Sequence, residues 1–336
     1  MSPSTSESSH FRPSRRALIA GASGAIAAAM AGAGLAIATP RPTRPANAEL
    51  RAAAASPANA AAASTLNMGY FRTWEDKATN PDMPNRIGEI PAAIDVALVF
   101  PDGTPDNSAF WPTLKDTYVP TLHGRGTKVV QTTGIKALLD DKFANTDSGH
   151  KSLADHLMET IVLKSGLDGL DVDMEQDLTT AQIDKAAGVF GALSKYLGPK
   201  SGTGKFLLYD TNRDGTEPLF SQTASLYDYV LVQSYGRSVS SLQGTWETYA
   251  PRIAPSKYLI GFSYYEENGT RWNDVTLPFE TSRAAKYASW QPTGLKKAGI
   301  FSYALDRDGI AEGDNTLRHT TYPWSKKLKE RMVAAR

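Results

Sequence analysis

Cysteine is missing from all 336 residues. That excludes disulfides, thiol catalysis and cysteine-ligated metals. Excess charge of either sign is missing too: 36 Lys and Arg face 35 Asp and Glu, a net of +1. So balanced a chain argues against nucleic-acid binding driven by phosphate contacts. The five histidines, His10, His123, His150, His156 and His319, never fall into H-E-x-x-H spacing. No G-x-S-x-G nucleophile elbow occurs. The segment Pro199-Lys-Ser-Gly-Thr-Gly204-Lys205-Phe206 only approaches a phosphate loop. It lacks the first glycine and the Ser/Thr after lysine, and it precedes a strand-like run instead of following one. No cofactor, metal or nucleic-acid partner is expected.

The first 64 residues are expected to lie outside the fold. Ser14-Arg15-Arg16-Ala17-Leu18-Ile19 puts a twin arginine before an alanine- and glycine-rich apolar stretch that ends near Ala38. Ala46-Asn47-Ala48 follows as an A-x-A cleavage site, with Pro57-Ala58-Asn59-Ala60 as a second possible cut. Residues 1–48 read as a bacterial twin-arginine export signal and 49–64 as a flexible leader. A membrane anchor is the alternative reading, since the stretch is long enough to span, but it is weakly apolar and runs into a cleavage site. The expectation is a secreted protein, attached to the cell envelope or free, with no membrane span once the signal is removed. A twin-arginine signal implies folding before export, which suits a chain that needs no disulfides.

From residue 65 onward, short β-rich runs recur at 66–71, 94–100, 128–132, 167–174, 206–210, 229–234, 258–264 and 299–305. Helix-like segments at 108–117, 145–164, 180–197, 241–249 and 279–290 separate them. Strands alternating with helices imply a parallel sheet. Eight such units in about 260 residues match a single α/β (β/α)₈ TIM barrel over residues 65–325. An open doubly wound sheet would want a glycine-rich turn after its first strand, and Tyr70-Phe71-Arg72-Thr73-Trp74 is not one. Residues 326–336 form a basic amphipathic tail, expected to be a helix with a solvated face that covers the barrel.

The barrel places chemistry at the C-terminal ends of its strands. Acids and aromatics collect there: Asp173 and Glu175, Tyr209-Asp210, Gln233-Ser234-Tyr235, Tyr264-Tyr265-Glu266-Glu267-Asn268, then Tyr303, Asp306 and Arg307. The fourth run, Asp168-Gly-Leu-Asp171-Val-Asp173-Met-Glu175, threads four acids through apolar residues. Burying carboxylates is costly unless they are paired or used. Asp171, Asp173 and Glu175 share one face of a strand, each roughly 6–7 Å from the next. Glu175 suits a proton donor, and Asp173 beside it would push its carboxyl up by like-charge repulsion. The two acids are too close to be the opposed pair of an ordinary glycosidase. Their spacing suits a reaction in which the substrate's own acetamido oxygen is the nucleophile. A calcium loop fails, because counting from Asp171 puts Gln176 and Gln182 where glycine and glutamate are needed. A strand end with solvated acids is the bland alternative.

D-x-x-D-x-D-x-E, matched by Asp168, Asp171, Asp173 and Glu175, is the signature of glycoside hydrolase family 18. The chain resembles the EndoS-type endo-β-N-acetylglucosaminidases of that family from about residue 65 to 325. The runs at 70–74, 167–173, 231–236, 261–268 and 299–309 carry the likeness. Chitinases of the family usually have a tryptophan on strand eight, where this chain has Tyr303, and the endoglycosidase branch is therefore favoured. The resemblance implies cleavage of the GlcNAc-β1,4-GlcNAc bond of the N-glycan core on glycoproteins, immunoglobulin G among them. It implies Glu175 as general acid and then base, and Asp173 positioning the acetamide. Asp171 would tune Asp173 by sharing a proton, and Tyr235 would donate its hydroxyl to the acetamide oxygen. Gln233, Glu266, Glu267, Tyr303 and the signature's Asp168 are expected to contact substrate. EndoS-type enzymes carry further domains beyond the barrel, so here the barrel loops would have to supply any protein recognition. A chitinase is the alternative within the family. A non-catalytic lectin is the alternative outside it, but lectins of this type typically lose the glutamate that Glu175 supplies. A monomer is the expected state.

Overall fold

The computed structural model describes residues 65–265 and 271–335. Within them eight parallel strands close into a barrel in chain order. They are β1 Leu66–Arg72, β2 Val96–Phe100, β3 Lys128–Gly134, β4 Gly169–Met174, β5 Phe206–Thr211, β6 Tyr229–Gln233, β7 Tyr258–Ser263 and β8 Gly299–Tyr303. The expected (β/α)₈ barrel is the fold. Strand β2 starts two residues late because Asp95 turns its side chain to backbone work: Oδ2 accepts from the Asn67 N–H at 2.7 Å.

Helix α1 covers 110–123, α2 covers 147–163, and α3 is Thr180–Leu193. Then come α4 Pro218–Thr223, α5 Leu242–Tyr249, α6 Arg283–Ser289 and α7 Pro323–Ala334. A wide turn, Leu114–Tyr118, interrupts α1 just before Pro120, whose missing N–H cannot continue the regular bonding. Helix α4 is absent from the sequence reading. At six residues it is too short to show an apolar stripe, and its signal is a cap: Glu217 accepts the Phe220 N–H at 2.9 Å, with Pro218 in the first turn. No α-helix joins β1 to β2. Asp76 organises that link instead, accepting from Ala78 N, Ile87 N and the Tyr118 hydroxyl at 2.7, 2.8 and 3.0 Å.

Alternation along each strand separates two cores. Met68, Leu98, Val130, Leu208, Leu231, Leu259 and Phe301 fill the barrel interior. Phe71, Val99, Leu170, Val172, Leu207 and Ile260 face the helices. Each such side chain contributes about 1.5–3 kcal/mol when fully buried. The interior is tight: a Cβ on Gly261 would meet the Phe301 ring at 2.3 Å. The C-terminal helix α7 buries Leu328 and Met332 and is tied to the strand starts by Lys329, which donates to Thr65 O at 2.7 Å and pairs with Asp95 at 2.6 Å.

Candidate active site

The acid row of β4 runs from the interior to the mouth. Asp171 is fully buried, Asp173 is 3 % exposed, and Glu175 stands just past the strand end, half-buried. Asp171 is gripped from both sides. Its Oδ2 accepts from the Tyr70 hydroxyl on β1 and from Thr132 Oγ1 on β3, both at 2.9 Å. Asp173 sits in register between Gly134 on β3 and Asp210 on β5. Oxygens of Asp173, Glu175 and Asp210 lie within 4.8 Å of one another. Such a group of acids could in principle attract a cation, but an N–H donor already serves two of them. Gln233 Nε2, on β6, donates to Glu175 Oε1 at 2.6 Å and to Asp210 Oδ2 at 2.9 Å. From the outer side, Arg213 reaches the Glu175 carbonyl at 3.4 Å and pairs with Asp177 at 2.9 Å.

Aromatic rings wall the mouth. Tyr303, at the end of β8, packs edge-on against Phe100 at 5.8 Å and beside Tyr70 at 6.2 Å. Tyr235 continues the inner face of β6 beyond Gln233, between Phe301 at 6.3 Å and Trp272 at 6.2 Å. The turn after Tyr235 needs glycine twice over: Gly236 has φ +69°, and a Cβ there would lie 2.7 Å from Trp272. Two anchors hold this turn. The Tyr287 hydroxyl lies 2.6 Å from Ser234 O and 2.7 Å from Arg237 O. Asp274, fully buried, accepts from Ser263 N at 3.0 Å, Gly236 N at 3.2 Å and Arg283 at 2.7 Å. Burial pushes the Asp274 carboxyl up to about 6, against those donors, which pull it down. On the far side, Arg72 and Asp306 form a buried, forked ion pair joining the ends of β1 and β8.

The structure thus brings Asp171, Asp173, Glu175, Gln233, Tyr235 and Tyr303 to one end of the barrel. Asp168 does not join them. It lies at the opposite end, before β4 begins, and bonds His123 Nε2 at 2.6 Å, Lys128 Nζ at 3.0 Å and the Val129 N–H at 2.8 Å. The expected substrate contact is corrected to a tie between the strand entrance and its neighbours. It stands three positions before Asp171, and an odd offset turns a strand side chain to the other face. Glu266 and Glu267 lie outside the described residues. From sequence Asp210 was placed at the mouth without a role, and Tyr70 and Thr132 were not named as site residues, although alternation along β5, β1 and β3 marks all three as inward-facing.

Chemically, the mouth offers a half-exposed carboxyl able to exchange a proton, two deeper carboxylates aligned behind it, and tyrosines able to donate or stack. That set suits acid–base cleavage of a glycosidic bond.

Comparison with known proteins agrees. Residues 69–302 match the model of the endo-β-N-acetylglucosaminidase EndoS TIM-barrel domain. Endo-β-N-acetylglucosaminidase F2 of Elizabethkingia meningoseptica is 44% identical over 269 residues, covering 78% of this chain and 80% of that protein. EndoS of Streptococcus pyogenes serotype M1 is 35% identical over 335 residues, covering 80% of this chain but only 34% of its own length. An endo-β-N-acetylglucosaminidase structure from Cordyceps militaris superposes with a TM-score of 0.78 at 48% identity, covering 87% of this chain and 97% of that one. That structure is of a double mutant, an aspartate and a glutamate two residues apart changed to asparagine and glutamine, in complex with fucosyl-N-acetylglucosamine-Asn.

Proposed function

The chain belongs to the EndoS-type family of endo-β-N-acetylglucosaminidases, glycoside hydrolases of family 18, and from that premise we propose how its residues cut the chitobiose core of N-glycans. Glu175 protonates the glycosidic oxygen. The C1–O bond breaks, its electron pair leaves with that oxygen, and the substrate's acetamido oxygen closes on C1 to give an oxazolinium ion. Asp173 orients the acetamide and balances the developing positive charge. Tyr235 donates its hydroxyl to the acetamide oxygen. Asp171, fixed by Tyr70 and Thr132, holds the row from beneath. Glu175, now a base, takes a proton from the water that opens the ring, and two displacements retain the anomeric configuration. Tyr303, Glu266 and Glu267 are glycan contacts. The observation that carries this reading is the acid row itself, graded from buried Asp171 to half-exposed Glu175.

The substrate is an N-linked glycoprotein, with immunoglobulin G the expected case. The fucosyl ligand of the Cordyceps relative supports glycans that carry fucose on the protein-linked sugar. Intact-mass spectrometry of immunoglobulin G and of a high-mannose glycoprotein tests all of this together. The expected result is loss of the glycan down to one N-acetylglucosamine, with its fucose where present, and no change with Glu175→Gln. Unchanged masses together with shortening of chitin oligosaccharides would overturn it. Export by the twin-arginine route is part of the proposal. Replacing Arg15 and Arg16 by lysine should leave the protein inside the cell, and undiminished secretion would refute that route.

A further inference from the structure

We infer that Asp210 is a positioning residue that fixes, through Gln233, which oxygen of Glu175 carries the catalytic proton; this rests on the general-acid role proposed above. Asp210 is fully buried on the inner face of β5, level with Asp173. Its Oδ2 accepts from Gln233 Nε2 at 2.9 Å, and the same nitrogen donates to Glu175 Oε1 at 2.6 Å. A primary amide presents two N–H donors on one side and an acceptor oxygen on the other, whereas an ionised carboxylate only accepts. While Asp210 is ionised, Gln233 cannot turn its carbonyl toward it, because two oxygens would then meet with no proton between them. The N–H₂ end is held there, and its second hydrogen is committed to Glu175. Oε1 of Glu175 must therefore accept, which leaves Oε2 as the oxygen that bears the proton in the acid form.

The amide orientation follows from this bonding pattern, and the pattern has a function. A general acid delivers its proton from one lone-pair direction toward the leaving oxygen. A carboxyl whose proton could sit on either oxygen would spend part of its time aimed at the amide instead of the substrate. The two bonds of Gln233 join Asp210 to Glu175. Asp210 acts one residue removed, by dictating the state of Gln233.

Asp210→Asn is the test. Asparagine keeps the size but can donate, so it permits the flipped amide. On an N-glycopeptide, kcat should fall ~10- to 100-fold with KM within ~2-fold, a part of what a general acid supplies. On the 4-nitrophenyl glycoside of the same glycan, whose leaving group needs little protonation, the loss should stay under ~3-fold. Added to Gln233→Met, which cannot donate, Asp210→Asn should cost almost nothing further. Equal losses on both substrates, or additive losses in the double variant, would overturn the inference. If Asp210→Asn fails to fold by thermal melting, Gln233→Met alone decides: it must show the same dependence on leaving group. Wild-type protein that cleaves neither substrate would overturn the proposed function instead, and so the two failures are told apart.

Discussion

Asp168 and Asp173 belong to one signature and lie five residues apart, yet they serve opposite ends of the barrel. Asp168, ahead of the strand, is bonded by His123, Lys128 and the Val129 N–H and holds chain segments together. Asp173 faces inward at the mouth, close to Glu175 and Asp210. Residue type does not separate them. Position along the strand and parity across it do: an odd offset changes the face, and the strand's direction decides which end carries chemistry. The difference teaches that a sequence signature mixes groups that react with groups that hold the reacting strand in place.

The largest expected effect falls at the mouth. Glu175→Gln should lower kcat/KM by ~10²- to 10⁴-fold, measured on a glycopeptide, with the melting temperature unchanged. A variant that lost stability as well would weaken the contrast between the two ends. Asp274 sharpens it differently, being a mouth-end aspartate held by backbone donors like Asp168. Because burial pushes its carboxyl up to about 6, the folded chain binds that proton more tightly than the unfolded chain does. The resulting stability is full below the unfolded value, near 4, and is lost as pH rises through 6. A rise of that size is worth about 3 kcal/mol at most. Denaturant unfolding between pH 4 and 7 should show that decline in the wild type and a flatter profile in Asp274→Asn.

At the bottom, Asp168→Ala should cost about 1–3 kcal/mol of stability by stranding the buried Val129 N–H, while kcat stays within ~2-fold of wild type. A loss of activity with unchanged stability would return Asp168 to the reacting group. The smallest effect is Lys128→Met, which removes a half-exposed partner of the same aspartate and should change stability by under ~1 kcal/mol. Chemical denaturation resolves both.

Much of this was legible before the structure. The barrel followed from eight β-rich runs, because strands buried on both faces leave continuous apolar stretches. Glu175, Asp173 and Asp171 followed from acids interrupting such a stretch. Asp210 was placed at the mouth from sequence but given no role, because a single acid beside Tyr209 gives no repeating pattern. Its meaning comes from Gln233, 23 residues later. Tyr70 and Thr132 were hidden in the same way: a hydroxyl in a strand carries no sign of its partner, and the Tyr70 partner lies 101 residues away. Helix α4 escaped because a cap with six residues behind it leaves no periodicity to detect. Local rules made the strands visible. Pairings set by barrel closure stayed invisible until the barrel was in hand.

The Phe301 ring lies so close over Gly261 that not even a methyl group would fit between them. With Met68, Leu98 and Leu231, that ring makes a solid floor beneath the acids. The acids are therefore open to substrate from the mouth side alone. Whatever is cut must lie across the top of that floor, within reach of the loops that follow the strands.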